Sequence, residues 1–389
     1  MEKFIIPDSE FSERFRRIQS EMKENGVDVL LVFGNEAEPQ FLRYLSDYWP
    51  SFETGGVLLG QDGDPILLIG PESLTYAKDH SRISRILRIQ SFRESSNPEY
   101  PDLKIESFDD ALDLVSSKQK LSKCAIAGFN IISQLVYIDF LKSVQRRGGF
   151  VVNGDLLIMK FRMIKSENEL QIMKKASCIS NAAMKFTIDN IKLGMSEFQA
   201  KGLGIQKMFE LGAESEAYPT WVLVGKGGNQ AIARPRRCVI HDNDLVHINL
   251  GARVEGYASS IGRQVIFGKV DDWVLSAIEK AYEAHDLVLK QLYDGNNAKK
   301  VASTYYNCMK DYKEWLLYGP CHASGLMEGE PPWIESNSDY LLHENMTYCI
   351  DIFMRKPGTE YGFRVEDSVR VGKTCGENMT NFPKEIFRK

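Results

Sequence analysis

Four separated segments of this chain carry residues able to do acid–base or ligand chemistry. The first is Asp244–Gly268. Strand side chains alternate faces, so His247, Asn249 and Gly251 share one face. Polar residues on one face of an apolar strand mark either a partly exposed strand or the floor of a site. The second is the Gly- and Pro-rich stretch Gly319–Trp333, with Cys321, His322, Glu328 and Glu330. Loops of this composition position function more often than core. In the third, Met346–Met354, Asp351 interrupts an apolar run, where an acid is costly unless paired. In the fourth, Tyr361–Val371, Arg364 and Glu366 share one face and Asp367 takes the other. Arg364 there is either an ion-pair partner for Glu366 or Asp351, or a substrate contact. Arg234-Pro-Arg-Arg237 is a compact positive cluster that could grip a carboxylate through bidentate forks, or simply be solvated.

Other chemistries are excluded by pattern. No HExxH, P-loop, nucleophile-elbow or EF-hand spacing occurs. Val224-Gly-Lys-Gly-Gly-Asn-Gln230 lacks phosphate-loop spacing and reads as a tight turn. Cys321 beside His322 is a weak candidate nucleophile, because adjacent residues of an extended segment point apart. Lys plus Arg is 48 against 53 Asp plus Glu, a net charge of -5, which argues against a nucleic-acid surface. The seven cysteines are scattered without a C-x-x-C, so free thiols, a reducing compartment and a cytoplasmic location are expected. Met1–Pro7 turns polar at once, so no signal peptide is expected, and no run is long enough to span a membrane.

The elements that must carry these residues fall into two rhythms. At 389 residues, two domains are the prior. Up to about residue 155, helices at 11–26, 108–119 and 130–146 alternate with strands at 27–33 and 123–128 and a hairpin over 55–60 and 65–70. That is a small α/β domain, 1–158. The remainder, 159–389, reads helix, helix, strands, twice over. Helices at 166–191 and 196–211 precede strands at 220–225 and 244–268. Helices at 271–293 and 298–314 precede strands at 346–354 and 361–372. The repeat has a period of about 110 residues and predicts a duplicated α+β domain whose halves share a cleft.

With these segments in order, the chain resembles the creatinase / aminopeptidase P / prolidase family. Arg162-Met-Ile-Lys-Ser-Glu-Asn-Glu-Leu is similar to its domain-entry signature. Asn249-Leu-Gly with Glu255-Gly-Tyr and Arg263 resembles its first ligand hairpin. His322-Ala-Ser-Gly-Leu with Glu330-Pro-Pro resembles its histidine loop, and Gly362-Phe-Arg-Val-Glu-Asp its last ligand strand. The resemblance implies an α+β architecture: a creatinase-type N-terminal α/β domain, then a duplicated pita-bread domain. It also implies a homodimer.

Metal-dependent members hold two divalent ions with two Asp, one His and two Glu, since hard cations need anionic oxygens. At those positions this chain has Asn249, Ser260, His322, Asp351 and Glu366. The family's substrate-contacting histidines fall at Ile232 or Arg234, and at Gly329. Two lost acids argue against a dinuclear centre, so no metal and no cofactor is expected. The metal-free precedent is creatinase, although its catalytic acid aligns with Gly262 here. The tail from Glu377 resembles creatinase-type tails. The resulting expectation is a metal-independent hydrolase of a C–N bond in a small polar substrate. His322 or His247 would act as base near neutral pH. Asp351 or Glu366 would orient the imidazole, and Asn249 would donate to a developing oxyanion. Arg263, Arg234, Arg236, Arg364 and Glu330 are the candidate substrate contacts. The alternatives are an Xaa-Pro dipeptidase or aminopeptidase with at most one metal, on His322, Asp351 and Glu366, and a non-catalytic binding protein.

Overall fold

Val27–Phe33 is apolar at almost every position, and a strand buried on both faces needs that composition. The computed structural model, which describes residues 5–389, makes it the middle of a six-stranded sheet. The first four residues of the Met1–Pro7 segment lie outside the described residues. The chain divides into two compact units, Ile6–Arg162 and Met163–Lys389.

The first unit contains β1 (Val29–Gly34), β2 (Gly55–Gly60), β3 (Ile66–Ile69), β4 (Ile86–Arg88), β5 (Lys123–Ala127) and β6 (Phe150–Asn153), in the order β4-β3-β2-β1-β5-β6. The hairpin expected around Gln61–Asp64 is the antiparallel pair β2–β3, and β1 runs parallel to β5. Helices α1 (Asp8–Glu24), α2 (Gln40–Ser46), α3 (Leu74–His80), α4 (Phe108–Val115) and α5 (Gln134–Arg146) complete it, and α6 (Asp155–Met163) runs up to the second unit. Helices α2 and α3 and strands β4 and β6 escape sequence patterning because each is too short to show a period.

The second unit opens with α7 (Glu167–Asn190). Ser166 accepts from the Glu169 N–H and the Glu169 carboxylate accepts from the Ser166 N–H, the reciprocal cap foreseen from the sequence. Then follow α8 (Glu197–Glu210), β7 (Ser215–Glu216), β8 (Trp221–Val224), β9 (Leu245–Leu250), β10 (Ala252–Val254), β11 (Tyr257–Ala258) and β12 (Ile261–Ile266). The second repeat supplies α9 (Asp272–Gln291), α10 (Ala298–Cys308), β13 (Cys321–Ala323), β14 (Glu330–Ile334), β15 (Thr347–Arg355) and β16 (Gly362–Arg370); β17 (Glu377–Asn378) and β18 (Phe387–Arg388) close the chain. The two repeats join edge to edge in one nine-stranded sheet, β14-β13-β15-β16-β12-β9-β8, with β17 on β16 and β18 on β12.

This sheet has two unlike faces. Ile350, Ile352, Val365 and Val369 pack under Ala277, Ile278, Ala281, Val301 and Ala302 of α9 and α10. Period-2 alternation therefore sends Cys349, Asp351, Arg364, Glu366 and Ser368 to the opposite face. The apolar face anchors the sheet; the other carries the chemistry.

Candidate active site

Register builds the site. One row across the sheet reads Trp221, Asn249, Gly262, Glu366, Asp351, each the Cα partner of the next. The row beside it reads Ser368, Cys349, His322. Residues more than a hundred positions apart are thus brought side by side by strand pairing alone.

His322 Nε2 lies 3.4 Å from Glu328 Oε1, 3.7 Å from Glu366 Oε1 and 4.0 Å from Asp351 Oδ2. Its other nitrogen, Nδ1, lies 3.2 Å from the Ala323 carbonyl. A carbonyl only accepts, so Nδ1 carries the proton in the neutral ring and Nε2 faces the carboxylates. Asp351 is held by Arg364 Nε at 2.9 Å and by the Tyr318 hydroxyl, which donates at 2.8 Å. Arg364 also donates to Tyr318 Oη and to the Ala231 carbonyl, and its guanidinium lies 4.7 Å from the Trp221 ring centroid. Asn249 Nδ2 donates to Glu366 Oε2 at 2.8 Å and to the Tyr218 hydroxyl at 2.7 Å; Tyr218 in turn meets Ser260 Oγ.

The charges in this cluster pull one another apart. Burial alone would lower the His322 pKa, but Glu328, Glu366 and Asp351 push it up to about 10. Burial, with the neighbouring Glu366 charge, pushes Glu328 up to about 8. Burial would raise Glu366 too, yet His322 and Arg364 hold it down at about 2. His247 is pushed the other way, to about 3, by burial and by Arg364. Neither ring nitrogen of His247 has a hydrogen-bond partner among the described residues.

The acids around His322 favour its charged form, whereas burial and Arg364 favour the neutral form of His247. Of the five catalytic candidates, His322, Asp351, Glu366 and Asn249 come together. His247 shares their face of the sheet but makes no hydrogen bond to them.

Three of the five substrate candidates are placed elsewhere. Arg263 pairs with Ile248 rather than Asn249, so alternation turns it to the helix-covered face. There it makes two bonds to Asp367, at 2.8 and 3.1 Å, and is wholly buried. Glu330 is the partner of Ala323, on the face away from His322, and its carboxylate lies 3.5 Å from Lys165. Arg236 is committed to Glu197 at 2.9 Å and to the Val224 carbonyl at 2.8 Å. Arg364 is in the site but spent on Asp351 and Tyr318. Arg234 is exposed, on a loop fixed at Ala231 by Arg364 and at Arg236 by Glu197.

Glu328, noted in the sequence only as part of its loop, belongs to the site, and so do Cys349, Tyr218 and Tyr318, which the sequence does not mark. Cys349 was within reach, standing two residues before Asp351 on one strand. Glu328 leaves no periodic signal, because it sits in the irregular stretch between β13 and β14.

Residues 171–373 match metallopeptidase family M24, and residues 14–164 match the creatinase/prolidase N-terminal domain. The chain belongs to the M24 family, whose members are hydrolases of C–N bonds, with a creatinase-type domain ahead of a pita-bread domain. It is 25% identical to the Xaa-Pro dipeptidase of Pyrococcus furiosus over 96% of this chain and 99% of that protein. It is 26% identical to the Xaa-Pro dipeptidase of Pyrococcus horikoshii, over 97% and 99%. The X-Pro aminopeptidase of Thermotoga maritima superposes with a TM-score of 0.82 at 24% identity, covering 96% of this chain and 99% of that one.

Membership of a metallopeptidase family removes the support for a metal-independent mechanism. The two-ion centre the family implies does not fit these residues either. The Asn249 amide donates a proton to Glu366 Oε2 where a carboxylate would offer a lone pair. Ser260 is a neutral hydroxyl bound to Tyr218. The acid that creatinase places at Gly262 has no room, since a Cβ there would stand 2.3 Å from Asn249 Oδ1. No described helix is long and apolar enough to cross a membrane.

Proposed function

We propose that this protein hydrolyses the peptide C–N bond of Xaa-Pro-type dipeptides, using at most one metal ion. The observation that carries the reading is the end-to-end match to Xaa-Pro dipeptidases. The His322–Glu328–Glu366 cluster adds to it, because opposed titratable groups with unspent bonding capacity gather at hydrolytic sites. In this reading Glu366 is the fixed negative charge, held in place by Asn249. Arg364, Asp351 and Tyr318 form a rigid wall beside it. The same Tyr318 lines a cavity of about 540 Å³ with Tyr306, Met309, Lys310 and Leu317. Arg234, exposed on its pinned loop, takes the dipeptide carboxylate. The homodimer implied by the family resemblance is part of the proposal and is checked by sedimentation.

The test is a panel of Xaa-Pro and non-proline dipeptides, offered to chelator-treated protein and to protein given Zn²⁺, Mn²⁺ or Co²⁺. Cleavage confined to the Xaa-Pro members, and lost in Glu366→Gln, is expected. Binding of dipeptides without turnover under every metal condition sinks the proposal.

A further inference from the structure

One group of four donor atoms that includes His322 Nε2 differs from the family's ligand positions. His322 Nε2, a Glu328 oxygen, Cys349 Sγ and a Glu366 oxygen all lie within 4.8 Å of one another. Only His322 and Glu366 stand at family ligand positions. We propose that these four residues form a binding site for a single zinc-type divalent cation, displaced from the family's dinuclear centre.

Geometry supports it first. A tetrahedral ion with bonds of about 2.1 Å to nitrogen and oxygen separates its ligands by about 3.4 Å, and slightly more where sulfur takes part. The His322 Nε2 separations, 3.4 Å to Glu328 and 3.7 Å to Glu366, match those edges. The Glu366 separation is too long for a hydrogen bond. Orientation supports it next. Nδ1 of His322 is engaged by the Ala323 carbonyl, which turns the Nε2 lone pair of the neutral ring toward the other three donors, as outer contacts do for metal-bound histidines.

An independent observation comes from unmet bonding capacity. Glu366 is 1% exposed, and its Oε1 has no hydrogen-bond partner among the described residues. Its other oxygen is taken by Asn249, so the free one is left facing His322. A buried carboxylate oxygen without a partner is costly, and a cation would satisfy it. Asp351 stands outside the set: its Oδ2 lies 4.0 Å from His322 Nε2 and accepts from Tyr318, and its Oδ1 faces Arg364 at 2.9 Å. A thiolate with an imidazole selects a borderline-soft ion such as zinc over magnesium or calcium.

This proposal deepens the hydrolase reading, and its test is read without substrate so that the two can fail separately. Chelator-treated protein is titrated with Co²⁺ as a coloured stand-in for zinc, and the zinc-loaded protein is examined by X-ray absorption. One equivalent is expected, with a thiolate-to-cobalt charge-transfer band and one sulfur neighbour on zinc. Cys349→Ser should abolish the band, and Glu328→Gln should weaken binding by about tenfold or more. Asp351→Asn should leave affinity within about threefold. Where Cys349→Ser does not fold, the sulfur neighbour in the unaltered protein decides. No binding, two equivalents, a purely nitrogen and oxygen shell, or loss of binding in Asp351→Asn but not Glu328→Gln each overturns the proposal. Cobalt binding without dipeptide turnover keeps this site and removes the hydrolase reading; turnover without the band does the reverse.

Discussion

Two buried arginine–aspartate pairs lie on opposite faces of the same sheet and differ in how completely they are closed. Arg263 and Asp367 are both 0% exposed. Asp367 accepts two bonds from Arg263 and one from Thr380, and lies 3.0 Å from His285. The remaining Arg263 N–H groups donate to the carbonyls of Gly262, Glu366, Phe382 and Pro383. Arg364 and Asp351 touch at one point, 2.9 Å apart, without hydrogen-bond alignment, and border a cluster with unspent bonding capacity. A closed pair holds strands and tail together; an open one keeps capacity for a ligand. Burial and charge are alike in both, so they do not distinguish scaffold from site. Completeness of pairing does.

The largest effect should follow from breaking the closed pair. Asp367→Ala strands a buried guanidinium and should cost about 3–5 kcal/mol, read by urea unfolding of the second unit. Burial would raise the Asp367 pKa, but Arg263 and His285 hold it below the ordinary carboxylate value. A depressed acid stabilises the fold above its unfolded pKa of about 3.9 and loses that contribution as pH falls through the folded value. The unaltered protein should therefore lose stability more steeply than Asp367→Ala below about pH 4. Parallel curves would mean the pair is not closed as described.

Next comes the open side. Glu366→Gln keeps an oxygen able to accept from Asn249 and removes the charge facing His322. Turnover should fall by about 10²-fold or more, while stability changes by about 1 kcal/mol. A large loss of stability with turnover intact would make Glu366 a scaffold group.

His247 refines the contrast through pH. Its folded pKa, about 3, is far below the unfolded value of about 6.5. A depressed base favours the fold above its unfolded pKa and costs stability as pH falls from there toward the folded value. At pH 5 the cost is about 2 kcal/mol. His247→Leu should lack that loss between about pH 6.5 and 3. Equal acid profiles would show that His247 is paired in solution.

Much of this was readable in the sequence, and the reason is period. The reciprocal cap at Ser166 and Glu169, the helix–helix–strand repeat and the split of Glu366 from Asp367 between two faces all follow from local spacing. The same alternation, applied to Asn249, would have turned Arg263 away; the family likeness of the hairpin drew it into the site instead. The direction of Glu328 and the presence of Tyr318 leave no such signal, because a loop without period does not say where it points. Glu330, marked by the family likeness of Glu330-Pro-Pro, pairs with Ala323 and so turns away from His322.

The smallest effect tests the same rule on the surface. Arg236 and Arg234 stand two residues apart with identical side chains. Arg236 is spent on the wholly buried Glu197 and on Val224, as Arg263 is on Asp367. Arg234 is exposed, and no ion pair holds it among the described residues. If completeness of pairing separates scaffold from site, the two alanine substitutions should divide cleanly. Arg236→Ala leaves Glu197 buried with fewer partners and should lower stability by about 1–3 kcal/mol with KM unchanged. Arg234→Ala should leave stability within about 0.5 kcal/mol, because it removes no internal contact. Its effect should appear in KM for an Xaa-Pro dipeptide, raised about tenfold, the loss of one charge-assisted bond to a carboxylate. A dipeptide amide, which lacks that carboxylate, should show no difference between Arg234→Ala and the unaltered protein. An equal KM change with both substrates would place the carboxylate elsewhere and leave Arg234 as ordinary solvated charge.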